Sequence, residues 1–131
     1  MELDKIFAAN RFGMAFERMR LEAAANNVAT ANQPLGPDGG GPLRVSASAG
    51  GSRFAELARV SVQRDADAVR VVHDPGNPAA DAAGDVRLPR LELADEMSTL
   101  VSAGRAYEAN VKALGALRDM MLRALEIGGN K

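Results

Sequence analysis

Apolar and small residues near the C-terminus recur at alternating steps of four and three: Leu93, Met97, Leu100, Gly104, Tyr107, Val111, Leu114, then Met121 and Leu125 beyond the charged intruder Arg118. Near the other end Phe7, Met14, Leu21 and Val28 fall seven apart, with Leu3, Ala24 and Ala31 in the companion row. A mean step of 3.5 residues keeps one seam of a helix facing a partner in a left-handed coiled coil. The pattern predicts a mainly α fold with a small β-type middle, in which residues 1–32 and 91–131 are long helices and 33–90 are loops and short strands. A short middle brings the chain back beside itself, so the helices should pair antiparallel, Val28 near the Leu100 end and Phe7 near the Met121 end.

Each helix carries a second row. In the first, which should run from Leu3 or Asp4 to Ala31 with Asp4 as N-cap, Phe12, Phe16, Met19 and Ala23 lie on an opposed face. In the last, Ser102, Ala106, Ala109, Ala113, Ala116, Met120 and Ile127 form a row of mostly small side chains. A helix apolar on two faces must bury both, and one partner helix covers only one. The first rows, Phe7, Met14, Leu21, Val28 and Leu100, Tyr107, Val111, Leu114, Met121, Leu125, are therefore assigned to the intramolecular coiled coil. Phe12, Phe16, Met19, Ala106, Ala109, Ala113, Ala116 and Met120 are assigned to contacts with other subunits. Asn26 and Asn27, in the run Asn26-Asn27-Val28-Ala29-Thr30-Ala31-Asn32, either cap and fray a helix end or fix register against a neighbouring subunit.

Between the helices, Gln33 to Gly51 is turn chemistry, and Leu43–Ala47, Leu57–Gln63 and Val69–His73 carry short strand signals. The prolines and glycines of the following stretch, through Pro89, argue against a regular element there.

Composition narrows the possible functions. Of 131 residues 47% are hydrophobic but only 4% aromatic, so the core of a lone subunit should be thin. Sixteen basic against 17 acidic residues, without a basic block, argue against nucleic acid as partner. No stretch has the length of a membrane span, and the N-terminus lacks the apolar core and cleavage site of a secretory signal. Cysteine is absent, and His73 is the sole histidine. The spacing of Asp74, Asn77, Asp81 and Asp85 misses the calcium-loop pattern, and Gly39–Gly41 lacks the rest of a phosphate loop. Asp95 and Glu96 at a helix start are accounted for by the helix dipole. We expect no catalytic, metal or cofactor site. A polymerising subunit and a discrete coiled-coil oligomer, such as an adaptor or export chaperone, are the two readings the residues leave.

Gly13-Met14-Ala15, Arg20-Leu21-Glu22 and Asn26-Asn27-Val28-Ala29 resemble the N-terminal signature of the bacterial flagellar axial family. Asp74-Pro75-Gly76-Asn77-Pro78, Ala80-Asp81, Gly84, Val86 and Pro89 resemble a D-P-x-H-P-x-A-D…G-Y-V-x-x-P block of its proximal rod members, and Arg105 to Asn110 and Met120-Met121-Leu122 resemble their last helix. Phe12, Thr30, Asn77, Asp85 and Arg90 depart from the pattern. The resemblance implies a non-enzymatic subunit of the basal-body rod, exported by the flagellar type III apparatus without a cleaved signal. Its partners would be copies of itself and other rod proteins, with Asn110 among the interface residues.

Overall fold

The computed structural model describes residues 2–37, 39–49 and 58–129. Two long helices flank four short strands: α1 (Glu2–Thr30), β1 (Leu43–Ala49), β2 (Ala58–Arg64), β3 (Val69–His73), β4 (Asp85–Pro89) and α2 (Leu93–Gly128). α1 opens at Glu2, so Asp4 is inside the helix rather than at its cap. α2 has 36 residues, a length of roughly 54 Å.

The helices run antiparallel. Gly13 of α1 meets Asn110 of α2, Leu21 meets Gly104, and Asn27 bonds to Glu96, so numbers rise along one helix as they fall along the other. At the seam the side chains are small: Ala24 and Ala103 are 1% and 0% exposed, and Ala23 is buried beside them. Small residues at the centre of a seam let two backbones approach closely, but they remove little apolar area from water.

The strands form two separate antiparallel hairpins. β1 pairs with β2 from Leu43↔Arg64 to Ala49↔Ala58, and β3 pairs with β4 from Val69↔Pro89 to His73↔Asp85. β4 is an element the sequence reading did not expect. Its only proline, Pro89, stands at the last ladder position, where a missing N–H costs least. The long loop between β3 and β4 is organised by Asp81, whose Oδ1 accepts the N–H groups of Ala83 (2.9 Å) and Asp85 (3.0 Å). Gly84 there has φ +82°, a conformation that favours glycine.

Main-chain bonds extend each hairpin at its open end, and Leu35 N–H, in the segment before the first hairpin, donates to Arg87 O of β4 (2.8 Å). Gly41 N–H donates to Asp65 O (3.1 Å), Asp65 N–H to Pro42 O (2.9 Å), and Arg90 N–H to Ala68 O (2.9 Å). Val86, Pro89, Gly41 and Pro42 are buried in these segments.

A Cβ on Gly41 would overlap the carbonyl oxygens of Asp65 and Ala68, whereas one on Gly36 would meet nothing within 4 Å. Gly41→Ala is therefore expected to cost about 1–3 kcal/mol through overpacking, and Gly36→Ala to leave stability almost unchanged. Urea unfolding of the two variants checks this; equal midpoints would contradict it.

Candidate functional site: a polar junction and two open helix faces

The residue at the centre of the molecule is Asn27. Its Oδ1 accepts the N–H of Leu43 at 2.7 Å, and its Nδ2 donates to the carbonyl of the same residue at 2.9 Å. The amide thus pairs with one residue of β1 as a neighbouring strand would, which sets where the first hairpin begins against α1. Nδ2 also donates to Glu96 Oε2 (3.1 Å), and Glu96 Oε1 receives Arg44 Nη1 at 2.6 Å. Asn27 is 1% exposed and Glu96 5%, whereas the Arg44 side chain is half exposed. One amide and one carboxylate therefore tie α1, β1 and α2 together. A buried carboxylate is tolerable here because Arg44 and Asn27 both donate to it.

These positions correct two sequence expectations. Asn27 is buried and bonded inside the subunit, which leaves it nothing to offer a neighbour. Glu96, attributed above to the helix dipole alone, is a buried partner of α1 and β1. It could have been found from its spacing: Glu96, Ala103 and Asn110 are seven apart, and all three face α1.

That spacing also relocates the seam. Asn10 Nδ2 donates to the main-chain oxygen of Asn110 at 3.2 Å, and a Cβ on Gly13 would lie 3.1 Å from Asn110 Nδ2. Asn110 is therefore an intramolecular residue, a correction to its assignment to the subunit interface. Phe7, Met14, Leu21, Val28, Leu100, Leu114 and Met121 are half-buried. Val111 and Leu125 are 45% and 68% exposed and lie off the closest line between the helices, contrary to their expected place in the coiled coil, whereas Tyr107, 37% exposed, borders a cleft with Met14 and Met19 of α1. The cause is the close approach of the backbones: small and polar side chains occupy the line between the axes, and the large ones are displaced to the flanks.

Of the residues assigned to other subunits, Ala109, Ala113, Ala116, Met120 and Asn26 are exposed, and Ala106 is half-buried. Phe12 and Phe16 stack with ring centroids 6.5 Å apart, and the Arg20 guanidinium lies over the Phe16 ring at 5.8 Å. Met19 and Ala23 border a cleft shared with Leu43 and Val62, so the first hairpin lies beside the C-terminal half of this row. On α2 a further apolar stripe is open: Leu93, Met97 and Val101 are each about half exposed.

His73 Nδ1 and Asp85 Oδ1 are 2.8 Å apart across β3 and β4, so its partner is Asp85, on the facing strand. Among the described residues no group of His, Asp and Glu is arranged to hold a metal ion. No helix there is long and apolar enough to cross a membrane.

Residues 92–127, essentially α2, match the family described as the flagellar basal body rod FlgEFG protein C-terminal. Over the whole length the likeness is to a narrower group. The flagellar basal-body rod protein FlgC of Salmonella typhimurium is 35% identical, covering 98% of this chain and 99% of its own. FlgC of Escherichia coli O157:H7 is 35% identical over the same shares, and that of Agrobacterium fabrum is 30% identical over 95% and 96%. The chain belongs to the FlgC family of flagellar basal-body rod proteins.

Two predictions follow from the polar groups. Asn27→Ala would leave the N–H and C=O of Leu43 and one Glu96 oxygen without this partner, at about 1–3 kcal/mol for each buried group left unsatisfied. Exposed Asn26→Ala should stay within about 0.5 kcal/mol. Denaturant unfolding separates them, and a neutral Asn27→Ala would show that the junction is dispensable. The second concerns acid. Backbone hydrogen bonds from Asp85 and Ala83 hold the Asp81 carboxyl below its ordinary pKa. A lowered folded pKa gives stability that is complete above the unfolded value of about 3.9 and is lost as pH falls through the folded one. The protection of the Ala83 and Asp85 amides, taken as exchange relative to the intrinsic rate at each pH, should accordingly be unchanged from neutral pH down to about pH 4 and fall only below it; Asp81→Ala should abolish that acid response.

Proposed function

We propose that this protein is a structural subunit of the proximal rod of the bacterial flagellar basal body, polymerising into the shaft that transmits rotation. The observation that carries this reading is the end-to-end likeness to FlgC proteins, which spans both helices and the middle. In this reading residues 1–32 and 91–131 form an axial coiled-coil domain, and 33–90 project from it to meet adjacent rod proteins. Its partners are copies of itself and other rod proteins. It reaches the periplasm-spanning rod through the flagellar type III export apparatus, and it catalyses no reaction.

The physical argument for assembly is the amount of apolar surface the subunit leaves open. Leu93, Met97, Val101, Val111, Met120, Leu122, Leu125 and Ile127 are 45–80% exposed, all on one helix. Large exposed apolar area on a monomer marks a surface that another protein covers. The buried seam, built of alanine, glycine and asparagine, holds the helices in register but contributes modest hydrophobic stabilisation. Contacts between subunits would then supply what the thin core does not.

The direct experiment deletes the gene and restores it with variants, reading swimming on soft agar, export of the subunit and its presence in purified basal bodies. A deletion strain that swims normally would overturn the reading. Two substitutions on α2 separate folding from assembly. Val111→Asp, on the exposed flank, should change the unfolding free energy by about 0.5 kcal/mol or less yet prevent incorporation into the rod. Ala103→Leu, at the closed seam, should destabilise the subunit itself by about 1–3 kcal/mol.

A further inference from the structure

α2 offers α1 two alternative seams. The one in use runs along Glu96, Ala103 and Asn110 and meets α1 at Asn27, Gly13 and Asn10. The other runs along Leu100, Tyr107 and Leu114, four residues on. At about 100° per residue the two lines are roughly 40° apart around the helix. A small roll of α2 would therefore exchange them. Space for the roll exists, because Tyr107 is 37% exposed beside an open cleft of about 330 Å³ that Met14 and Met19 of α1 also line.

Burial of apolar area favours the roll. Ala103, at the present seam, removes far less area from water than Tyr107 and its leucine neighbours would. Polar groups oppose it at both ends of the pair. Near β1 the opposing residue is Asn27, held by Leu43 and Glu96. Towards the other end it is Asn10, whose Nδ2 donates to the main-chain oxygen of Asn110 at 3.2 Å. Gly13 leaves room for the Asn110 amide, since a Cβ there would lie 3.1 Å from its Nδ2.

Unlike Asn27, Asn10 is a poor source of stability. Its Oδ1 is buried and has no hydrogen-bond partner among the described residues. Turning the amide over would only set its oxygen against the oxygen of Asn110. One long bond beside an unpaired acceptor gains little, and apolar side chains of similar shape at both positions would be as stable or more so. An asparagine in a helix seam fixes the pairing at a cost in stability.

We infer that Asn10 and Asn110 select which face of α2 turns inward. They hold its small and polar face against α1 and so keep the row of large residues turned towards neighbours in the rod. Were α2 to roll, Asn10 would lose the Asn110 oxygen and leave a second polar atom unpaired in the closed seam. The role deepens the reading of the chain as a polymerising subunit and rests on it. The pair lowers the stability of the lone subunit and leaves exposed the surface that assembles.

Tyr107 is the single tyrosine and the chain has no tryptophan, so its fluorescence reports the roll. In full-length N10L/N110L, quenching by acrylamide should fall as Tyr107 turns inward. The urea midpoint should equal or exceed that of the unaltered chain, and incorporation into basal bodies should be lost. Asn10→Gln keeps an amide at this position and should be quenched and incorporated like the unaltered chain. Unchanged quenching in N10L/N110L, a lower midpoint, normal incorporation, or an Asn10→Gln variant that behaves like the leucine pair would each overturn the inference. The rod reading is tested separately by the deletion strain. A strain that cannot swim, and that N10L/N110L restores, would keep the rod reading and overturn this one.

Discussion

The architecture depends on a single amide. Asn27 offers one donor and one acceptor edge to the backbone of Leu43 while its second N–H reaches Glu96. No apolar side chain at that position could do this, because Leu43 would then carry an unpaired N–H and C=O into a closed space. The bond fixes where the first hairpin leaves α1. Through Glu96 and Arg44 it also fixes the position of the start of α2 against both. Everything beyond this point is held by weaker, more distributed contacts: alanine against alanine along the helices, and main-chain bonds that extend each hairpin at Gly41, Asp65, Ala68 and Arg90.

This economy of core explains the character of the surface. Among the described residues Asn27 is the largest side chain buried below 2% exposure, while large aliphatic residues along α2 face outward. A protein meant to work as an isolated monomer would place those residues inside. Here the closest line between the helices is occupied by small and polar groups, so bulky side chains are left on flanks where neighbours in an assembly can cover them. The arrangement suits a subunit whose final stability comes from many modest contacts, as a shaft under torque requires.

The positions where the chain departs from its family pattern each have a local partner. Asn77 Oδ1 accepts the N–H of Ala79 at 3.0 Å, closing a turn that needs no histidine. Asp85 pairs with His73 across the hairpin, and Arg90 Nη2 donates to Asp67 O at 2.7 Å. Thr30 Oγ1 bonds back to Asn26 O at 2.8 Å at the end of α1, and Phe12 stacks on Phe16. The departures are thus accommodated within the subunit.

The sequence by itself determined the two long helices, the short β-type middle and the family, because hydrophobic period, helix stops and motif spacing are local properties of the chain. It also determined that the helices carry more apolar surface than one partner can cover. Only the tertiary structure decided which face of each helix turns inward. A heptad of large residues at Tyr107 and Val111 reads as the seam, yet close approach of the backbones selects Ala103, Asn110 and Glu96 for that line. Likewise β4 was hidden by its proline, since only the pairing with β3 shows that Pro89 stands at the end of a ladder. The role of Asn27 was equally out of reach: an asparagine at a helix end has many partners open to it, and the chain must fold before one of them, the backbone of Leu43, lies within 3 Å.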